Sequence, residues 1–282
     1  MTFPPFKNAV LTVVLGSLLI AAPVLLPADV GTGSAQAQSF PQYCQPMDDP
    51  EISLILIDNT EIYDRTDAER FAAGFNRIFH ELTPGALLEV YLVGGDPGTM
   101  TRAFSACIPG CTGELARGES NWEHICGDIL VQRDKRDFVR GMSNFMTTIL
   151  NSAHPSEATF LIDTFDQLAH QYEAKRVRQI RIFSDMLEFS PLNWKINGFD
   201  EEARLSLQKK SKIAPKIRNV FREADIHAFG FGKRLGQEQL IEEKGTTAAR
   251  LPAEPSAQFR TFWEWFFSTA LPARSFQLTL DY

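Results

Sequence analysis

The sequence predicts a doubly wound α/β fold, a mostly parallel sheet with helices on both faces, following an N-terminal signal or anchor segment. Three observations carry this. Apolar runs of strand length alternate with segments of helical period from about residue 52 onward. Such alternation implies a mostly parallel sheet covered on both sides. The runs at 52–57 and 179–183 each close on an acid with a hydroxyl nearby, at the edge where open α/β sheets bind ligands. No internal repeat or low-complexity segment competes, and 282 residues at 44% hydrophobic and 22% charged composition suit one large domain. Abundant phenylalanine, 22 residues, supplies a sizeable core.

Residues 38–51 are a polar, proline-bearing lead-in, and the first strand spans about 52–58. Ala68, Phe71, Ala72, Phe75, Ile78, Phe79 and Leu82 then recur at helical spacing, with Thr66 or Asp67 as the expected N-cap and Pro84-Gly85 as the stop. Leu87 to Val93 is the second strand, ending in Gly94-Gly95. The stretch at about 96–133 lacks a strong period, holds three cysteines and reads as an insertion with a short edge strand near Thr101 to Phe104. Helices are expected over about 134–151, with Phe138, Met142, Phe145 and Ile149 inward, and over about 159–175, with Leu161, Phe165 and Leu168 inward. Strands at about 177–183 and 226–231 follow, separated by a polar loop and a basic helical segment. Phe259, Phe262, Trp263, Phe266 and Phe267 form the core-facing stripe of a last helix over about 256–271. The alternating segment Phe276 to Leu280 closes the sheet.

The first 37 residues differ in kind. Lys7 and the amino terminus precede an apolar run from Ala9 to Leu26, and a small-residue stretch ends in Ala35-Gln36-Ala37. This is the pattern of a secretory signal cleaved after Ala37. Its alternative is an uncleaved membrane anchor over residues 9–26, near the lower length limit for a span. Pro23 and Pro27 favour the signal, and both alternatives place the rest outside the cytoplasm, in the periplasm or an equivalent compartment. Contact with a membrane is expected only if the segment is retained. Cys44, Cys107, Cys111 and Cys126 are an even set in an exported chain, which predicts two disulfides with three pairings open. The competing assignment is a zinc set of Cys107, Cys111, His124 and Cys126, disfavoured by its irregular spacing and an oxidising compartment.

The candidate chemistry sits at the strand ends. Ile52 to Ile57 leads into Asp58-Asn59-Thr60, and Gln179 to Phe183 leads into Ser184-Asp185. Aspartate and hydroxyl oxygens suit a hard cation. Without a metal, the same acids would serve as caps of the following loops and helices.

These residues and the order of elements resemble the von Willebrand factor type A family over about residues 52–270, and Ile182-Phe183-Ser184-Asp185-Met186-Leu187 looks like its fourth-strand motif. The chain also looks like exported bacterial members of that superfamily. The family has a doubly wound α/β fold. It commonly carries a metal-ion-dependent adhesion site: an Asp-x-Ser-x-Ser loop after the first strand, a threonine from a later loop and an aspartate after the fourth strand. The resemblance implies Asp58 as first acid, Thr60 as first hydroxyl, Thr159 as the separate threonine with Ser156 next in line, and Asp185 as last acid. Ile62 holds the third loop position and offers no ligand, a departure that weakens the expected metal affinity. Asp64 and Asp67 are placed to compensate through water, and Ser184 to support the loop. The implied cofactor is Mg²⁺ or Mn²⁺, and the implied partner is another protein presenting an acidic side chain.

Other chemistry is thinner. Gly230-x-Gly232-Lys233 lacks the full phosphate-loop spacing, no Gly-x-Ser-x-Gly elbow is present, and the five histidines form no close metal pair. The basic run from Lys209 to Arg222 reads as a solvated helical face, and a net charge of −7 gives nucleic-acid binding no global support. The sequence thus points to a non-catalytic, extracytoplasmic protein-binding module with an altered metal site. A metal-independent assembly component of a cell-envelope machine comes second and a metal-dependent hydrolase third.

Overall fold

A computed structural model of the chain describes residues 40–44, 50–60, 65–95, 99–111, 126–152, 159–173, 177–186, 219–231 and 260–279. The strands are β1 (Ile52–Asp58), β2 (Leu87–Val93), β3 (Met100–Cys107), β4 (Val177–Phe183), β5 (Asp225–Phe229) and β6 (Ser275–Thr279). The helices are α1 (Arg65–Phe79), α2 (Asp128–Ser152) and α3 (Leu161–Gln171), followed by α4 at residues 260–265, which continues as a π-helix over Phe266–Ala270. The sheet order is β3-β2-β1-β4-β5-β6. Every neighbouring pair is parallel except β2 and β3.

Every residue of β1 is buried, as a central strand covered on both faces requires. Its side chains divide by pleat. Leu54 and Leu56 pack with Phe165 and Leu168 of α3 and with Phe262, Trp263, Phe266 and Phe267 of the last helix. Ile55 and Ile57 pack with Phe71, Phe75 and Ile78 of α1 and with Phe138, Met142 and Ile149 of α2. Helices therefore cover both faces, and the fold is the doubly wound α/β arrangement that the sequence predicts. The aromatic stripe of the last helix lies in the core. The Leu271 amide donates to the Phe266 carbonyl at 2.7 Å, the five-residue step of a π turn.

The expectations need four adjustments. Thr66 and Asp67 lie inside α1 rather than capping it. The strand expected at 101–104 extends to eight residues and runs antiparallel at the sheet edge. Helix α2 begins at Asp128, six residues before the expected start, so the irregular stretch is shorter than 96–133. Thr159 stands two residues ahead of α3 instead of opening it. Residues 1–39 and Ile62, Asp64, His124, Ser156 and the run 209–218 lie outside the described residues, as does the stretch 232–259.

The cysteines pair as Cys44–Cys107 and Cys111–Cys126, so they are not a zinc set. The first bond ties the lead-in to the end of β3. The short turn Pro41–Tyr43 is held further by the Tyr43 hydroxyl, which donates to Asp134 Oδ2 of α2 at 3.0 Å. Burial and the neighbouring Asp134 push the Tyr43 phenol up from its ordinary value. Two disulfides place the chain in an oxidising, extracytoplasmic setting. Among the described residues no helix is long and apolar enough to cross a membrane.

Candidate functional site

The register places Asp58 beside Val93 at the carboxyl edge, with Phe183 one step back on β4. Two backbone bonds carry the ladders past the strand ends: Asn59 N–H to the Val93 carbonyl and Ser184 N–H to the Phe229 carbonyl, both 3.1 Å. They continue β1 along β2 and β4 along β5, and the Ser184 hydroxyl then joins the two loops at Asp58.

Asp58 is 2% exposed and is the hub of the site. Its Oδ1 accepts from the Thr60 amide at 3.0 Å and the Thr60 hydroxyl at 2.5 Å. Its Oδ2 accepts from the Thr159 hydroxyl at 2.9 Å and the Ser184 hydroxyl at 2.8 Å. Burial drives the Asp58 carboxyl above its ordinary value, and these bonds pull against that shift by favouring the ionised form. Ser184 Oγ also accepts from the Met186 amide at 2.9 Å. Met186 sits at φ 63, and its carbonyl accepts from the Trp263 indole at 3.1 Å. The loop Ser184-Asp185-Met186 is thereby held in an uncommon backbone conformation by contacts on both sides. Asp185 within it is buried.

The two threonine oxygens, Thr60 Oγ1 and Thr159 Oγ1, stand 2.9 Å apart. Each hydroxyl has one hydrogen. When both hydrogens go to an ionised Asp58, the two oxygens meet with no hydrogen between them. A proton on the carboxylate or a cation against the threonine oxygens supplies what is missing. Neighbouring ligands of an octahedral Mg²⁺ bonded at 2.0–2.1 Å stand about 2.9 Å apart. The donor set is oxygen only and fits a hard divalent ion. Among the described residues there is no group of three or more His, Cys, Asp or Glu that could hold a metal, so this set depends on its hydroxyls.

Of the residues singled out in the sequence, Asp58, Thr60, Thr159 and Ser184 form one bonded cluster, and Asp185 adjoins Ser184. Asp67 is in α1, and Asp64 lies outside the described residues. Sequence reasoning missed a second buried polar cluster. Glu89 of β2 accepts from Arg102 Nη1 at 2.9 Å, from Ser105 Oγ at 3.3 Å and from the Tyr91 hydroxyl at 3.1 Å. The Tyr172 hydroxyl donates to Glu89 and lies 2.6 Å from that of Tyr91. The available signal was a lone charge inside the apolar run Leu87–Val93. Burial and the Glu89 charge raise the Tyr91 phenol.

Neither a protein-family model nor a curated relative matches the chain. Among solved structures it is similar to the TFIIH p34 N-terminal domain, at 10% identity and a TM-score of 0.26, over 75% of this chain and 95% of that one. The fold therefore rests on sheet order and helix packing, and the site on its own geometry.

Proposed function

We propose that this chain is an extracytoplasmic protein-binding module of the von Willebrand factor type A kind. It takes an acidic side chain of a partner at the carboxyl edge of its sheet, with Mg²⁺ or Mn²⁺ as cofactor. The supporting observation is the pair of threonine oxygens 2.9 Å apart whose hydrogens are both within reach of one buried carboxylate. Thr60 and Thr159 offer lone pairs, Asp58 orients them by accepting their hydrogens, Ser184 fixes Asp58, and Asp185 adds a second negative charge. A cation with so few protein ligands keeps an open position for a carboxylate. Asp58 is buried and engaged on both oxygens, which suits orientation rather than proton transfer, so binding is favoured over hydrolysis. Residues 1–37 export the chain, or residues 9–26 hold it at a membrane with the domain outside.

Thermal unfolding with disulfides intact, in EDTA and then in millimolar Mg²⁺ or Mn²⁺, tests this. A cation at one hundred times its Kd stabilises the folded state by about 2.7 kcal/mol. The gain should vanish in Thr159→Val, which keeps the side chain's shape and removes the oxygen. No gain in the unmodified chain overturns the metal site. The alternative is a metal-independent scaffold in a cell-envelope assembly, in which a proton on Asp58 closes the cluster in place of a cation. Partner binding unaffected by chelation would select that alternative.

A further inference from the structure

We propose that the opposite, amino edge of the sheet carries a second docking site, a groove for an acidic, apolar peptide segment of a partner protein. Leu87 at the start of β2 pairs with Cys107 at the end of β3, so the residues around them lie at the far end of the strands from Asp58. There the end of α1, the turn before β2, the exit of β3 and the outer side of α2 enclose about 470 Å³. The walls include Phe79, Leu82, Ile108 and Val139, and Lys135 and Arg136 complete the lining. Volume and lining are those of a binding cleft, largely apolar with a few polar groups to set orientation.

Charge names the occupant. Three described acids of this region already hold a cation: Asp134 with Arg133 at 3.1 Å, Asp137 with Arg140 at 3.1 Å, and Glu81 with Arg181 at 3.4 Å. Lys135 and Arg136 make no ion pair among the described residues. Two cations that no described acid pairs with, beside apolar walls, call for a ligand carrying both carboxylates and apolar groups. The groove also has an apolar extension. Ile129 is 89% exposed and is the exposed large hydrophobic among the described residues. It precedes Gln132, Arg136 and Val139 by three, seven and ten positions, which puts it on the same helix face. An apolar side chain so exposed beside a cleft marks an interaction surface longer than a small ligand would fill.

The groove is preformed. The Gly85 amide donates to the Ile108 carbonyl at 2.8 Å, and the Ile108 amide to the Ala86 carbonyl at 2.9 Å. The Cys111–Cys126 bond fastens the β3 exit to the start of α2. A wall held in place loses little freedom on binding.

The test is selection of a random displayed peptide library on the full chain with both disulfides formed, in EDTA so that no divalent ion contributes. Peptides combining acidic and apolar residues should be enriched. Their affinity should fall about tenfold or more in Lys135→Glu/Arg136→Glu, and likewise in Ile129→Asp, as loss of close charge and apolar contacts predicts. These surface variants should keep the unmodified melting temperature. The proposal is overturned if no peptide is enriched, if the enriched peptides lack acids, if the charge-reversed variant binds them equally, or if phosphatidylglycerol vesicles bind the groove and the peptides do not compete.

Discussion

At the carboxyl edge, Asp58 is shut away from water and takes hydrogen bonds from Thr60, Thr159 and Ser184. At the amino edge, Lys135 and Arg136 stand at an open groove with no ion pair among the described residues. The two edges handle charge in opposite ways because their access to water differs. A buried carboxylate left unpaired costs several kcal/mol, so the fold surrounds it with its own donors. A surface cation is solvated by water and can be left for a partner at little cost. The carboxyl edge is built by hydrogen bonds between loops that the sheet aligns, whereas the amino edge is built by disulfides and a tight turn.

Four perturbations test this contrast, in order of decreasing cost to stability. Replacing both Cys44 and Cys107 by Ala should cost about 4 kcal/mol, the chain-entropy value for a bridge spanning 63 residues, read as a lower urea midpoint. It should leave the hydroxyl cluster at the other edge intact, so any Mg²⁺-dependent gain in melting temperature persists. Asp58→Ala in EDTA should cost about 3 kcal/mol, because buried hydroxyls and an amide lose their acceptor at about 1–3 kcal/mol each, offset in part by the relief of a buried charge. A cost below that of an ordinary surface substitution would show that the cluster is not the hub described.

Gly110→Ala comes next, at about 2 kcal/mol, or a melting temperature lower by about 4–8 °C. Gly110 has φ +148, and an added Cβ would stand 2.5 Å from Pro84 Cβ in the groove wall. The loss should fall on the amino edge alone, leaving the response to cations unchanged.

The smallest effect concerns His227, between the two edges on β5. Burial, and then the positive charge of Arg181, lower its pKa from 6.5 to about 4. The unfolded chain therefore takes up the proton first as pH falls. The contribution of His227 to stability is full above about pH 6.5, declines toward pH 4 and then levels. The ring is only half-buried and solvent screens it, so the decline is on the order of 1 kcal/mol. His227→Gln should flatten that part of the stability curve, and an unchanged slope would remove His227 from the account.

Strand β1 was legible because burial on both faces makes Ile52–Ile57 a nearly continuous apolar run, and β4 because its apolar end, Ile180, Ile182 and Phe183, leads straight into Ser184-Asp185. The same runs exposed the site, since Asp58 and Ser184 follow directly from them. Strand β3 was only partly legible because Met-Thr-Arg-Ala-Phe-Ser-Ala-Cys at a sheet edge mixes exposed and buried positions. The start of α2 was missed because its first turns are largely open to solvent and carry little apolar period. Glu89 was passed over because its partners Arg102, Ser105 and Tyr172 come from a neighbouring strand and from the end of α3.

The fold class, the core-facing stripes and the set of acids and hydroxyls at the strand ends are written in the local order of residues. These follow from local periodicity and from which residues terminate each run. Tertiary structure alone decided which cysteines pair, that Thr60 and Thr159 meet at one carboxylate, and that two cations are left beside an apolar groove. Each of those depends on segments far apart in the chain, brought together by the parallel register of the sheet and the return of β3, and a one-residue shift in that register would separate them.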